Sequence, residues 1–176
     1  MVQLLIIADD FTGALDTGVH FSKQGISTFI TTDENIRNSY DAMEAVVWVC
    51  ITQSRHLSSK KAYEKVANVT RYAMELGIPY IYKKTDSTLR GNIGSEIAAV
   101  LETAQSGDLM FIPAFPREKR ITRNGVQYVN GCELNQSIFA QDPFEPVIFS
   151  HVDEIIRQQS DVPLVMVNRA DVAIMG

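Results

Sequence analysis

Residues 4–14 have the sequence LLIIADDFTGA and contain the first strand, the first turn and the start of the first helix. Leu4–Ala8 is apolar at every position, which is typical of a strand buried on both faces of a parallel sheet. Two carboxylates follow directly, and a helical pattern begins at about Thr12. A buried strand that passes through a short polar turn into a helix opens a βαβ unit, so this stretch predicts an α/β fold.

The rest of the chain repeats the alternation. Further strands are predicted at Ile26–Thr31, Ala45–Ile51, Tyr80–Tyr82, Leu109–Ile112 and Leu164–Val167. Helices are predicted from about Thr12 to Lys23, from Ser58 or Ser59 to Leu76, and from Asn92 to Ala104, with a short helix that begins at Ser150 in a capping box with Asp153. This order predicts one α/β domain over residues 1–176 with a doubly wound, mostly parallel sheet.

Residues 113–146 interrupt this order. Asn-Gly pairs at 124–125 and 130–131 flank the strand-like segment Val126–Val129. Asn-Gly is the strongest short-range signal for a tight hairpin turn. The segment therefore predicts a β-hairpin excursion from the main sheet.

Composition excludes several classes of function. Hydrophobic residues make up 45% and charged residues 21% of the 176 residues, as in ordinary globular domains. The net charge of −5 argues against non-specific nucleic-acid binding, which needs a basic face. The longest apolar run, Ala45–Ile51, is too short for a membrane helix, and no basic segment precedes Leu4 as in a signal peptide. Cys50 and Cys132 lack the spacing of a zinc or redox motif, so a cytoplasmic location is expected.

Ligands of doubly wound sheets bind outside the carboxyl ends of the strands, and charged residues follow several predicted strands. Capping of the first helix by Asp10 or Thr12 explains one of the residues after the first strand, but not the adjacent carboxylate of Asp9. Because paired carboxylates repel each other, such a pair suits hydrogen bonding to a polyol, a general-base role, or magnesium.

The spacing around this pair excludes three known chemistries. A haloacid-dehalogenase phosphatase would have Ala8 at its nucleophile position, and a receiver domain would need an Asp after Ile51, where Thr52 and Gln53 follow. A dinucleotide site needs GxGxxG, and only Gly13 and Gly18 lie near the first turn.

Residues 83–92, KKTDSTLRGN, carry the densest set of polar groups. Arg90 next to Gly91, just before a helix, predicts an anion site made of a guanidinium and free helix amides. Asp86 is placed to accept a hydroxyl proton, as an aspartate does in many phosphoryl transfers. The basic stretch 117–123 offers further cations, although Lys119 and Arg120 are more simply interpreted as solvated surface charges.

Five segments occur in one order: ADDFTGA at 8–14, KTDSTLRGN at 84–92, PAFP at 113–116, TRNG at 122–125 and DP at 142–143. Together they resemble the amino-terminal domain of the four-carbon acid sugar kinases, which include kinases of threonate, erythronate and 3-oxo-tetronate. The resemblance covers nearly the whole chain. It implies an amino-terminal domain that binds the sugar acid and a carboxy-terminal domain that binds ATP and Mg²⁺.

The resemblance also implies roles for individual residues. Arg90 would hold the carboxylate of the sugar acid, and Asp86, or alternatively Asp10, would take the hydroxyl proton. The substrate-binding set would be Asp9, Asp10, Thr12, Lys84, Asp86, Ser87, Arg90 and Arg123, with no protein ligand to a metal.

The chain departs from the family in its length. Family members are much longer, and no GxxxxGK[ST] nucleotide loop occurs in the 176 residues. The expectation is a truncated chain that binds the sugar acid, needs no cofactor alone, and requires the ATP-binding domain as partner for kinase activity. A non-catalytic small-anion-binding module or an interaction domain are the alternatives. An unfinished sheet edge would expose apolar surface, so a homo-oligomer is also expected.

Overall fold

The computed structural model describes residues 1–33, 44–105, 107–167 and 171. Its main sheet has four parallel strands in the order β2-β3-β1-β4. The strands are β1 (Leu4–Ala8), β2 (Thr28–Thr31), β3 (Val47–Ile51) and β4 (Tyr80–Lys84). Ala8 at the end of β1 lies opposite Ile51 of β3 and Lys84 of β4, so these strands end level at one edge of the sheet.

Helices cover both faces of this sheet. Helix α1 (Phe11–Ser22) packs on the face to which Ile6 and Val49 point. Helices α2 (Ser59–Glu75) and α3 (Ile93–Ala104) cover the other face, where Leu5 and Trp48 are fully buried. Successive residues of a strand point to opposite faces, which is why the central strands β1 and β3 are apolar at every position. The predicted doubly wound α/β fold is confirmed.

The predicted hairpin is also confirmed. Strands β5 (Arg120–Arg123), β6 (Val126–Val129) and β7 (Cys132–Glu133) form a separate antiparallel sheet. Asn124 and Gly125 in the first turn have φ values of 50° and 78°. A turn of type I′ needs positive φ at both central residues, which Asn and Gly adopt at low cost.

The region around the hairpin has its own hydrophobic core. Short 3-10 helices at Pro116–Glu118, Leu134–Gln136 and Ile138–Gln141 and helix α4 (Val152–Arg157) complete it. Leu134, Ile155 and Ile97 of α3 are buried together there, so α3 joins the two sheets.

Three local predictions are wrong. Leu109–Ile112 and Leu164–Val167 pair with no strand in the described part of the chain, and Met110 and Val165 are 85% and 88% exposed. An apolar run becomes a strand only where a neighbour supplies hydrogen bonds, and sequence alone does not show that neighbour. Helix α4 begins after His151 and not at Ser150, because the Ser150 hydroxyl accepts a hydrogen bond from the Asn135 amide at 2.9 Å.

None of the helices in the described residues is both long and apolar enough to cross a membrane.

A buried polar network fixes the edge where the parallel strands end. Lys83 Nζ lies 2.7 Å from Glu96 Oε2, and both side chains are at most 3% exposed. The other oxygen of Glu96 accepts a hydrogen bond from the Ser54 hydroxyl. Ser54 Oγ is 2.7 Å from Thr52 Oγ1, which lies 3.0 Å from the carbonyl oxygen of Ala8. The network therefore links the ends of β1, β3 and β4 to the first turns of α3.

Replacement of Lys83 tests this network. Lys83→Met leaves the Glu96 carboxylate buried without its cation, and we expect the free energy of unfolding to fall by about 3–5 kcal/mol. Urea unfolding followed by circular dichroism measures the change. The double variant Lys83→Met/Glu96→Leu removes both charges and should recover most of the loss. A double variant as unstable as the single one would contradict the assignment of the cost to an uncompensated charge.

Candidate functional site

The loops at the carboxyl ends of the parallel strands line one cleft of about 1770 Å³. Asp10, Lys84, Asp86 and Arg90 line its polar end. The cleft then continues along the open edge of β4, past the exposed side chain of Tyr80. The acidic pair after β1 and the basic residues after β4 therefore face a common space.

Arg55 neutralises the two adjacent carboxylates. Its Nε donates to Asp9 Oδ2 at 2.7 Å, and its Nη1 lies 2.8 Å from Asp10 Oδ2. Asp10 is also the N-cap of α1, because its Oδ1 accepts a hydrogen bond from the Gly13 amide at 2.8 Å. Asp9 is buried behind the cleft, and its Oδ1 has no hydrogen-bond partner among the described residues.

The loop after β3 is held so that Arg55 reaches both carboxylates. Asn92 donates to the carbonyl oxygens of Ser54, Arg55 and Leu57 at 2.9, 3.2 and 2.8 Å. Gly91 has a φ of 83°, and a Cβ there would lie 2.8 Å from Arg55 Cγ. Only glycine therefore fits beside the stem of Arg55.

The environment of Arg55 favours its charged form. Burial works to lower the pKa of Arg55, but the hydrogen bond to Asp9 and the charges of Asp9, Asp86 and Asp10 outweigh it and raise the pKa. The cation thus remains between the two aspartates. Arg55 thus balances the charge of the two carboxylates without a metal ion. No group of three or more His, Cys, Asp or Glu side chains suited to a metal occurs in the described ranges.

Arg90 is held by a second pair of carboxylates. Its Nε donates to Asp86 Oδ2 at 2.5 Å, and its Nη1 donates to Asp142 Oδ2 at 3.0 Å. The guanidinium carbon lies 5.1 Å from the centre of the Phe139 ring, in range of a cation–π contact. Thr88 Oγ1 donates to the same oxygen of Asp86 at 2.6 Å.

These contacts keep both acids ionised. Burial alone would raise the pKa of Asp86, but the hydrogen bonds from Arg90 and Thr88 and the charges of Arg55 and Arg90 outweigh it and lower the pKa. Hydrogen bonds from the amides of Glu145 and Phe144, with that of Arg90, lower the pKa of Asp142 to about 2. The same carboxylates raise the pKa of Arg90 against the effect of its burial.

Two of the helix amides that the predicted anion site would use at the start of α3 already have an acceptor. The amides of Gly94 and Ser95 both donate to Gln159 Oε1, at 3.0 and 3.4 Å. Gln159 Nε2 in turn donates to the carbonyl oxygen of Gly91. A side chain that is distant in sequence thus takes the amides that the prediction had assigned to a ligand.

The structure brings most of the predicted site residues together. Those that line the cleft are Asp10, Thr12, Lys84, Asp86, Ser87 and Arg90. Asp9 does not line the cleft, but it binds Arg55, which does. Arg123 is exposed at the end of β5 and is not among the lining residues.

Sequence reasoning missed three charged residues of the site. Arg55 follows β3 in the chain, and its position after the carboxyl end of a predicted strand could have identified it as a site residue. Asp142 lies in the DP segment, but nothing local connects it to Arg90, 52 positions away. The sequence favours a solvated surface charge for Arg120, yet its side chain is 22% exposed and lines the cleft.

Comparisons with known proteins identify the family of the chain. A family model described as "Sugar-binding N-terminal domain" matches residues 4–174. The chain is 36% identical over 172 residues to a D-threonate kinase of Salmonella typhimurium, covering 97% of this chain and 40% of that protein. It is 35% identical over 184 residues to a D-erythronate kinase of Heliobacterium modesticaldum, covering 99% and 41%. The chain thus spans about two fifths of the length of these curated relatives.

Solved structures share the fold. A protein from Bordetella bronchiseptica, described as a domain of unknown function with bound citrate in a domain-swapped dimer, has a TM-score of 0.83 and 32% identity, covering 88% of this chain and 39% of that chain. A Haemophilus influenzae protein has a TM-score of 0.82 and 26% identity, covering 97% and 42%.

The match of the family model over almost the whole length, together with the named relatives, confirms the resemblance that the sequence motifs indicated. The chain belongs to the family of sugar-binding N-terminal domains found in the four-carbon acid sugar kinases.

Proposed function

We propose that this chain is the substrate-binding domain of a kinase that phosphorylates a four-carbon acid sugar of the threonate, erythronate or 3-oxo-tetronate type. The observation that supports this most directly is the mixed charge of the cleft. Asp10 and Asp86 offer hydrogen-bond acceptors, while Lys84 and Arg90 offer cationic donors at the same edge of the sheet. An acid sugar presents hydroxyl donors and a carboxylate, so it needs both kinds of group.

Asp86 is the proposed acceptor of the hydroxyl proton. Its lowered pKa means that it is ionised before substrate arrives, so it can accept a hydrogen bond from a substrate hydroxyl. In a loose phosphoryl-transfer transition state the hydroxyl proton leaves late, and positioning matters more than basicity. The contacts from Arg90 and Thr88 supply that positioning.

Phosphoryl transfer also needs a nucleotide site. The 176 residues contain no GxxxxGK[ST] loop, and the kinases that they resemble are much longer. We therefore propose that these residues bind the acid sugar and that ATP is bound by a further domain. The alternative of a non-catalytic anion-binding module shares the binding step and differs only in turnover.

A second copy of the chain is the proposed partner at the open edge of the main sheet. In the described residues no strand pairs with the outer side of β4, where Tyr80 and Tyr82 are 68% and 45% exposed. Unpaired strand edges with apolar side chains favour pairing with another chain. The Bordetella bronchiseptica relative is described as a domain-swapped dimer, which supports self-association here.

Calorimetry tests the binding proposal. We expect D-threonate or D-erythronate to bind the wild-type chain, and Asp86→Asn to weaken that binding about tenfold or more, because a charged acceptor is lost. Asp161→Asn, an exposed aspartate outside the cleft, is the matched control and should bind normally. Wild-type protein that binds none of the three acid sugars would exclude the proposed function. With ATP added, ADP formation by the chain alone would contradict the need for a further domain.

The hydrogen bonds that Asp142 accepts, from the amides of Glu145 and Phe144 and then from Arg90, predict a pH dependence. The folded pKa of Asp142, about 2, lies below the ordinary 3.8 of an aspartate, so its stabilising effect is complete above about pH 4 and is lost as the pH falls toward 2. We therefore expect Asp142→Asn to be less stable than wild type near about pH 5 and the difference to shrink on acidification. Urea unfolding at several pH values measures it. A difference that is constant with pH would contradict the prediction.

The state of association is measured by size-exclusion chromatography with light scattering. We expect a dimer for wild type and a monomer for Tyr80→Lys/Tyr82→Lys, because lysines on a strand edge oppose pairing. Ile138→Lys, at an exposed apolar position on another surface, should remain a dimer. A wild-type monomer at about 100 times the concentration used for binding assays would exclude self-association through this edge.

A further inference from the structure

The arginines that line the cleft differ in what they contact. Arg55 and Arg90 each bind two carboxylates at 3.0 Å or less. Among the residues that the structure describes, the Arg120 guanidinium has one carboxylate contact, which is long: its Nη1 lies 3.5 Å from Glu118 Oε2, and the Glu118 side chain is 59% exposed. Its Nε is buried and has no hydrogen-bond partner among the described residues. Among the three arginines that line the cleft, Arg120 alone has a buried Nε without an acceptor in the described residues.

Leaving such a donor unpaired is costly. A buried polar hydrogen without an acceptor loses its hydration and gains nothing in return, and the cost is larger for a charged group. A long contact to an exposed glutamate offsets little of this cost, because solvent screens it. A ligand oxygen in the cleft could accept a hydrogen bond from Arg120 Nε. Binding would then remove the cost of the unpaired donor, which favours the complex over the free protein.

Arg120 is also held on the correct face of its strand. Side chains two positions apart on a strand share a face, so Arg120 and Thr122 point the same way. Thr122 Oγ1 donates to Gln127 Oε1 at 2.6 Å, and Gln127 Nε2 donates to the carbonyl oxygen of Ser87 at 2.9 Å. This face of the hairpin is therefore fastened to the loop that carries Asp86. Arg123 is three positions after Arg120, so its side chain lies on the opposite face of the strand.

The backbone at Arg120 is anchored as well. Its amide and carbonyl groups pair with those of Phe115 at 3.2 and 2.8 Å. A guanidinium on a fixed backbone presents its donors as a planar fork that matches the two oxygens of a carboxylate. Lys84 also lines the cleft, but it has a single-point ammonium that already donates to the Thr85 carbonyl at 2.7 Å.

We infer that Arg120 binds the carboxylate of the acid sugar and so selects acids over neutral polyols; this inference rests on the proposed function. Arg90 then serves as a positioning residue that holds Asp86 and Asp142 in place. The ligand class that Arg120 recognises is a small polyhydroxy monocarboxylate. Its hydroxyl groups lie toward Asp10 and Asp86.

The experiment compares an acid with its neutral analogue on the 176-residue chain. Calorimetry measures the affinities of D-erythronate and erythritol, and of D-threonate and threitol, for wild type, Arg120→Gln, Arg120→Lys and Arg90→Gln. We expect Arg120→Gln to weaken acid binding at least about tenfold and to leave polyol binding unchanged. Arg120→Lys should restore part of the loss, since it keeps the charge but not the fork. Arg90→Gln should weaken acid and polyol alike, because Asp86 loses its support.

Arg117→Gln is the matched control. It removes one positive charge from an exposed position near Arg120 that does not line the cleft, and it should bind both ligands as wild type does. Thermal unfolding confirms that each variant is folded, and the acid-to-polyol ratio is a readout that general destabilisation would not move.

The outcomes separate the two proposals. Wild type that binds an acid sugar while Arg120→Gln retains its acid-to-polyol ratio would overturn the inference and leave the proposed function standing. A loss of the ratio in Arg90→Gln, with Arg120→Gln unchanged, would assign the carboxylate to Arg90. Wild type that binds no acid sugar would refute the proposed function, and the role of Arg120 with it.

Discussion

The buried ion pair between Lys83 and Glu96 connects the end of β4 to helix α3, and the cleft depends on that connection. Through Ser54 and Thr52 the same network reaches the ends of β3 and β1. The loops that follow these three strands carry Asp10, Arg55 and Asp86. Lys83 and Glu96 are buried away from water, so each charge needs the other as its partner. The pair therefore fixes the end of β4 relative to helix α3. This constraint positions the cleft before any ligand is present.

Charge balance is the second feature of the site. Arg55 bridges Asp9 and Asp10, and Arg90 bridges Asp86 and Asp142. Each arginine lowers the cost of holding two carboxylates close together, and the carboxylates hold each guanidinium in one orientation. The two arginines thus allow four carboxylates to lie close together at this end of the sheet. Arg120 has no carboxylate closer than 3.5 Å in the described part of the chain, and for this reason we propose it as the residue that binds the carboxylate of the ligand.

Elements with strong local signals were predicted well, and contacts between distant residues were not. The strand Leu4–Ala8 and the hairpin turn at Asn124 and Gly125 were found because burial and backbone conformation act within a few residues. Leu109–Ile112 has an equally apolar sequence but pairs with none of the strands in the described ranges, so its β-propensity alone does not make it a strand. The amides at the start of α3 looked available until Gln159, from beyond helix α4, was seen to cap them.

The sequence by itself determined the α/β class, the edge of the sheet where the polar residues gather, and the family, because periodicity and motif order are local properties of the chain. Only the tertiary structure decided which charges pair. Arg90 and Asp142 are 52 positions apart, Arg55 and Asp9 are 46 apart, and their meeting depends on the packing of whole elements. The sequence does not show whether a charged side chain near the site forms an ion pair within the protein. Folding brings the partners of such a side chain together, and these partners determine whether it can still bind a ligand.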